Sequence, residues 1–235
     1  MRGQVLDALS EERHLYFRGA GIAFVLGVLP DQGLFRFLGQ QTCSFDFLYL
    51  SSGRKVARGG GTGNLPTLVL LSGLPGSGKT TFAAQLAPRL DACVLESDLV
   101  RRELFPKRRY TRKESGAVFA EVRARAEGAL GEGRDVIIDA TNLRDWERQG
   151  FLELAERQGA AAVAVRLTAP DAVVRERLSG PREGASEANI GVYNRMRGEE
   201  EPFRVPCVQV DSRYCVEASV ALTATLCQGG SRGDA

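Results

Sequence analysis

Histidine is nearly missing from this sequence: His14 is the only one among 235 residues. That excludes a His-rich metal centre, and any histidine-based catalysis would rest on His14 alone. The five cysteines, Cys43, Cys93, Cys207, Cys215 and Cys227, form no C-x2-C pair and are odd in number. Neither a disulfide framework nor a structural zinc site is expected, and a reducing, cytoplasmic compartment fits. No apolar run reaches the ~18 residues of a membrane span. The run over 19–29 follows Arg13 and Arg18, but Glu11 and Glu12 interrupt the would-be basic region and no small-x-small site follows. A secretory signal is therefore not expected. A clear excess of one charge is also lacking. The net charge is +2, from 31 Lys+Arg against 29 Asp+Glu, which argues against a protein that holds nucleic acid by electrostatics.

Lysine is the scarce cation, with Lys55, Lys79, Lys107 and Lys113 against 27 arginines. The bias itself fits genome composition, but it makes the place of each lysine informative. Glycine and aromatic residues are unevenly spread: residues 1–65 hold 11 of 27 glycines and eight of 17 aromatics. This stretch carries no motif and weak periodicity, and no Met lies between Met1 and Met196. It reads as an N-terminal extension, either a genuine region or sequence upstream of a misplaced start, ending in a Gly-rich linker over 58–64. The last residues, 229–235, read as a disordered tail.

From residue 66 the pattern becomes alternating strand and helix. Short apolar runs at 67–71, 92–95, 135–138, 161–167 and 207–210 predict five strands. Helical patterns fall over 80–90, 98–105, 112–130, 143–158, 171–178, 186–197 and 216–227, with Ser97 as the cap of the second. Five apolar strands separated by helices predict an α/β fold, a parallel sheet with helices on both faces.

Between the first strand and the first helix, Gly73-Leu-Pro-Gly-Ser-Gly-Lys-Thr80 fits G-x4-G-K-[ST]. Gly73, Gly76 and Gly78 let the backbone wrap closely around phosphate oxygens, together with Pro75, Ser77 and Thr81, and the helix opening at Lys79 adds its positive end. Lys79 is placed to reach the β- and γ-phosphates, and Thr80 to ligate Mg²⁺. This loop predicts binding of ATP with Mg²⁺. No N/T-K-x-D motif of a GTPase follows, and Asp139 in Ile-Ile-Asp-Ala140 has no adjacent Glu as in motor ATPases. A compact phosphotransferase is what remains. Asp98 lies just past a strand end, where a carboxylate can accept a proton from a substrate hydroxyl. Arg101, one turn on, can hold a substrate anion.

The P-loop through Thr81, then Glu-Ser-Asp98-x2-Arg101, then Val136-Ile-Ile-Asp-Ala-Thr-Asn-Leu143, resembles the P-loop kinases of the polynucleotide kinase group. It also resembles the small bacterial kinases related to them and to zeta toxins. Ala185-Ser-Glu-Ala188 and Glu201-Pro202 extend the resemblance, which covers 66 to about 225. It implies a P-loop NTPase fold, nucleoside-kinase-like with a small lid, over 66–228. It implies Asp98 as general base, Arg101 as a contact to acceptor phosphate, and Asp139, Thr141 and Asn142 lining the site. Arg175, Arg177 and Arg182 surround the implied lid; Arg177 is taken as catalytic and Arg182 as substrate-binding. A carboxylate directly precedes Thr-Asn in polynucleotide kinases, whereas here Ala140 does. The implied activity is transfer of the γ-phosphate of ATP to a hydroxyl, with a small-molecule acceptor favoured over a nucleic-acid 5′ end because no continuous basic stripe is visible. The alternatives are a zeta-toxin-like nucleotide-sugar kinase and an ATP-hydrolysing switch that works through a partner.

Overall fold

The computed structural model describes residues 14–19, 22–27, 65–180 and 188–229. The expected linker at 58–64 lies outside them, as do Arg182 and residues 230–235 of the expected tail. Two short strands stand in the leader, where no regular element was expected. β1 (His14–Gly19) and β2 (Ile22–Gly27) pair antiparallel, from His14 opposite Gly27 to Gly19 opposite Ile22.

The remaining strands form one parallel sheet: β3 (Thr67–Ser72), β4 (Cys93–Glu96), β5 (Val136–Asp139), β6 (Ala161–Thr168) and β7 (Val208–Asp211). Their order is β4-β5-β3-β6-β7. Central β3 is buried along its whole length because it is covered on both sides. Leu68 and Leu70 face one apolar cluster with Val118, Val122 and Phe151, while Val69 and Leu71 face the other with Phe82, Leu86 and Val220. This two-sided burial is why the strand reads as an unbroken apolar run rather than an alternation.

The helices are α1 (Lys79–Leu90), α2 (Ser97–Leu104), α3 (Arg112–Gly131), α4 (Asp145–Arg157), α5 (Asp171–Ser179), α6 (Ile190–Arg197) and α7 (Glu217–Gly229). They agree with the periodic segments to within a few residues, apart from two ends. Ser97 does not cap α2: it is the first helical residue, Glu96 holds the cap position, and no side chain bonds there. The helix expected from 186 begins at Ile190, where the Asn189 side chain accepts from the Val192 N–H at 3.0 Å.

Every strand of the sheet runs the same way, so Ser72, Glu96, Asp139, Thr168 and Asp211 end on one edge. In open α/β sheets that edge is where ligands collect.

Candidate active site

The P-loop leaves β3 through Gly73. Its φ is 149°, and a Cβ there would lie 2.3 Å from the Leu167 carbonyl oxygen, so only glycine fits. The Gly73 N–H donates to the Thr141 carbonyl at 3.0 Å, which ties the loop to the exit of β5. Gly78, at φ 89°, turns the chain into α1 with no side-chain cap. The first-turn N–H groups, which have no partner inside the helix, are thus available to an anion, and the helix dipole favours one. Lys79 Nζ donates to the Leu74 carbonyl at 3.0 Å, folding its ammonium back over the loop.

A cavity of about 730 Å³ opens over this loop and reaches across to α2, α3, α4 and α6. That is ample for a small-molecule ligand. Pro75, Gly76, Gly78, Lys79, Thr80 and Thr81 line one part of it, and Asp98, Arg101, Asp139, Thr141 and Arg177 are among the residues that line the remainder. Gly73 and Ser77 stand behind the lining as framework.

Asn142 is a correction. Expected in the site, it is fully buried, adopts φ 43°, and donates through Nδ2 to the Leu71 carbonyl at 2.6 Å. Its own carbonyl accepts from the Ser72 hydroxyl at 3.0 Å. Asparagine tolerates the left-handed region, and here it laces the exits of β3 and β5 together. Arg175 also turns away: it pairs with Asp171 at 2.7 Å and donates to Asn194 at 3.1 Å.

Three carboxylates share the edge. Asp139 sits opposite Glu96 in the β4–β5 register, and Asp98 follows at the start of α2. Asp139 is 3% exposed, accepts a hydrogen bond from the Thr80 hydroxyl, and keeps Oδ2 without a hydrogen-bond partner. Burial raises its pKa above the usual carboxylate range, opposed by the Lys79 ammonium and the Thr80 bond and reinforced by Asp98. Burial raises Glu96 likewise, with Asp139 and Asp98 adding to it and Arg102 opposing. Glu96 lines the cavity and was not singled out from sequence.

These groups suit Mg²⁺. Among the described residues no set of three His, Cys, Asp or Glu forms a metal cage. Mg²⁺ on a nucleotide, however, needs only one or two protein oxygens beside phosphates and waters. The Thr80 hydroxyl with the orphaned buried Oδ2 of Asp139 is such a set.

Arg177 is half-buried and engaged through both terminal nitrogens. It donates to the Gly76 carbonyl at 3.1 Å, the Ser212 hydroxyl at 2.8 Å and the Ser212 carbonyl at 2.6 Å. It therefore bolts the P-loop to the loop after β7. Arg101 is held by Ser115, whose hydroxyl accepts from Nη2 at 3.3 Å, and its guanidinium lies 4.9 Å from the centre of the Tyr110 ring.

A buried arginine absent from the sequence reading organises the far wall. Arg148 is 1% exposed and donates to the carbonyls of Asn142, Leu143, Glu201 and Pro202 and to Asp145. Its guanidinium stacks 4.4 Å from the Phe203 centroid. Glu199 and Glu200 pair with Arg144 and Arg166 at 3.0 and 2.6 Å, and Glu201 accepts from the Asp145 N–H at 2.7 Å. The segment after α6 is thereby strapped to the strand exits. The one sequence cue was Glu201-Pro202.

Comparison with known proteins agrees with this geometry. A family model described as an AAA domain matches residues 68–203. An uncharacterised Mycobacterium tuberculosis protein and one from Mycobacterium bovis are each 32% identical over 137 residues, 53% of this chain. The chain spans only 28% of their length. Among solved structures, the Mycobacterium tuberculosis APS kinase CysC superposes with a TM-score of 0.57 at 16% identity, over 70% of this chain and 99% of that one. A gluconokinase from Sinorhizobium meliloti gives 0.53 at 18%, over 72% and 99%. These likenesses concern the fold.

Proposed function

We propose that this chain, which belongs to the AAA domain family and has the P-loop kinase fold, transfers the γ-phosphoryl group of ATP to the hydroxyl of a small acceptor. The observation that carries this is one cavity holding both the P-loop with Lys79 and Thr80 and, across from it, Asp98 and Arg101. A hydrolytic switch has no need of the second set.

In this reading the P-loop N–H groups and Lys79 hold the triphosphate, with Thr80 and Asp139 on the side of Mg²⁺. The ion supplies neutralisation of phosphate charge when bound. Asp98 takes the proton of the acceptor hydroxyl as its oxygen forms a bond to the γ-phosphorus. The bond to the β–γ bridging oxygen breaks, and ADP leaves with those electrons. Such a transition state is loose and asks the protein for positioning and electrostatics. Arg177, with its donors on Gly76 and Ser212, is assigned to holding the P-loop rather than to touching the transferred group. Thr141 and the acceptor contact of Arg101 complete the site.

The test is γ-labelled ATP with the full chain, offered pooled nucleosides, nucleotides, sugars, amino alcohols and 5′-OH oligonucleotides. Label is expected in one small-molecule pool. Label found only in free phosphate across all pools would contradict the proposal.

A further inference from the structure

α6 has two faces with different tasks. Tyr193, Asn194 and Arg197 turn toward α5. The Tyr193 hydroxyl donates to Asp171 at 2.8 Å, Arg197 donates to the same oxygen at 3.2 Å, and Asn194 accepts from Arg175 at 3.1 Å. Val192, Arg195 and Met196 lie on the other side of the helix and line the cavity. The clasp to α5 therefore fixes which side chains α6 shows to the cavity.

α4 meets that face at its end. Arg144, at the N-cap of α4, pairs with Glu199, two residues past α6, at 3.0 Å, and both line the cavity. The pair ties the turn that carries Trp146 to the end of α6 that carries Met196. It also spends both charges on each other, so the junction offers none to a ligand.

Trp146 is the chain's only tryptophan and is 51% exposed although it lines the cavity. Phe119 meets it edge-on at 6.1 Å between centroids, so the indole is anchored rather than loose. Phe119, Trp146, Val192 and Met196, from three helices, give the cavity an apolar wall outside the phosphate loop.

A large apolar side chain left half in water is the unusual feature here. Arg195 is exposed as well, but water satisfies a guanidinium and calls for no ligand. The wall is continuous with Asp98 and the P-loop, so the group that covers it belongs to the molecule whose hydroxyl reaches Asp98. Hydroxyls or phosphates placed against it would lose water and gain no partner, whereas hydrocarbon sheds water at a gain.

We propose that the acceptor is an amphipathic alcohol: its hydroxyl lies at Asp98, and a hydrocarbon body, aryl or alkyl, packs on Phe119, Trp146, Val192 and Met196. This rests on the kinase reading above and narrows the acceptor to alcohols with an apolar body, over sugars and nucleotides.

The single tryptophan makes the test direct, because all indole emission comes from this wall. The full chain is first saturated with Mg²⁺ and the non-hydrolysable ATP analogue AMPPNP, which removes the P-loop from competition. Benzyl alcohol, phenylethanol, phenylpropanol and phenylbutanol are then titrated, with ribose and adenosine 5′-phosphate as polar probes. Emission should move to shorter wavelength as water leaves the indole. Affinity should rise about three- to fourfold with each added methylene until the wall is covered. Phenylpropanol should bind at least about tenfold tighter than either polar probe. By calorimetry, the gain per methylene should fall to about twofold or less in Trp146→Gln and, separately, in Met196→Gln. Neither position is fully buried, so both variants should fold.

Affinity that stays flat along the series would overturn the proposal. So would polar probes that bind as tightly, or an unchanged gain in both variants. Binding of AMPPNP without binding of any phenylalkanol would also overturn it and leave the kinase reading standing. Failure of AMPPNP itself to bind would sink that reading and this one together.

Discussion

In the proposed mechanism, Asp139 pits stability against function in one side chain. Its carboxylate is buried, its Oδ2 is unpartnered, and its pKa is raised chiefly by burial. A carboxyl whose folded pKa lies above its ordinary value favours folding only while protonated. That contribution is full below the ordinary carboxylate pKa and is lost as pH rises through the raised folded value. At neutral pH the ionised group therefore weakens the apo protein. Asp139→Asn is expected to stabilise it by about 1 kcal/mol, roughly 2–4 °C in Tm for a protein of this size. The gain should disappear near pH 4, and the variant should bind Mg²⁺-ATP more weakly. Thermal melts at both pH values with a nucleotide titration check this; lower stability at pH 7 would contradict it. The cysteines give a second residue-scale test. Burial, with Asp135 nearby, pushes the Cys227 thiol up to about 12, so it holds almost no thiolate at pH 8. Cys215 is exposed. Iodoacetamide at pH 8 should label Cys215 well before Cys227, as read by peptide mass spectrometry.

At the scale of elements, the parts legible in the sequence were those specified locally. The β3–P-loop–α1 unit is read from an apolar run, three glycines and a lysine, because Gly73 and Gly78 answer to backbone geometry within the loop itself. Gly73→Ala would drive a methyl into the Leu167 carbonyl, so it should abolish ATP binding even where the protein still folds. What was not legible depends on distant partners. Asn142 looked like a polar site residue, but it spends its amide on Leu71, 71 positions away. Arg148 looked like any helical arginine, yet it caps carbonyls at 201 and 202, more than 50 residues on. Such pairs leave no periodic trace. Removing the Arg148 donors would strand several buried carbonyls, and Arg148→Met is expected to cost about 3 kcal/mol or more. Glu201→Gln, on an exposed side chain, should cost under about 1 kcal/mol. Urea denaturation distinguishes the two; equal effects would refute a buried role for Arg148.

At the scale of the whole molecule, charge is placed rather than accumulated. Residues 66–235 carry 24 Lys+Arg and 24 Asp+Glu, a net of zero. In the proposed reading, anionic ligands are therefore held by particular donors: the P-loop amides, Lys79 and Arg101. Single substitutions there should matter more than ionic strength, unlike a surface that gathers anions by its overall field. The fold class and the positions of the sheet's five strands followed from composition and period alone, because a two-sided sheet imprints its burial on every strand. The joining of the P-loop with Asp98, Arg101 and the α3, α4 and α6 residues around one cavity did not, since it depends on how these elements close around the sheet edge.

Phosphoryl transfer with Asp98 as the base is tested by assaying Asp98→Ala side by side for transfer and for ATP binding. Transfer is expected to fall by about 10²–10⁴-fold with ATP affinity essentially unchanged. Transfer that survives in Asp98→Ala at the unsubstituted rate, or a parallel collapse of ATP binding, would contradict it.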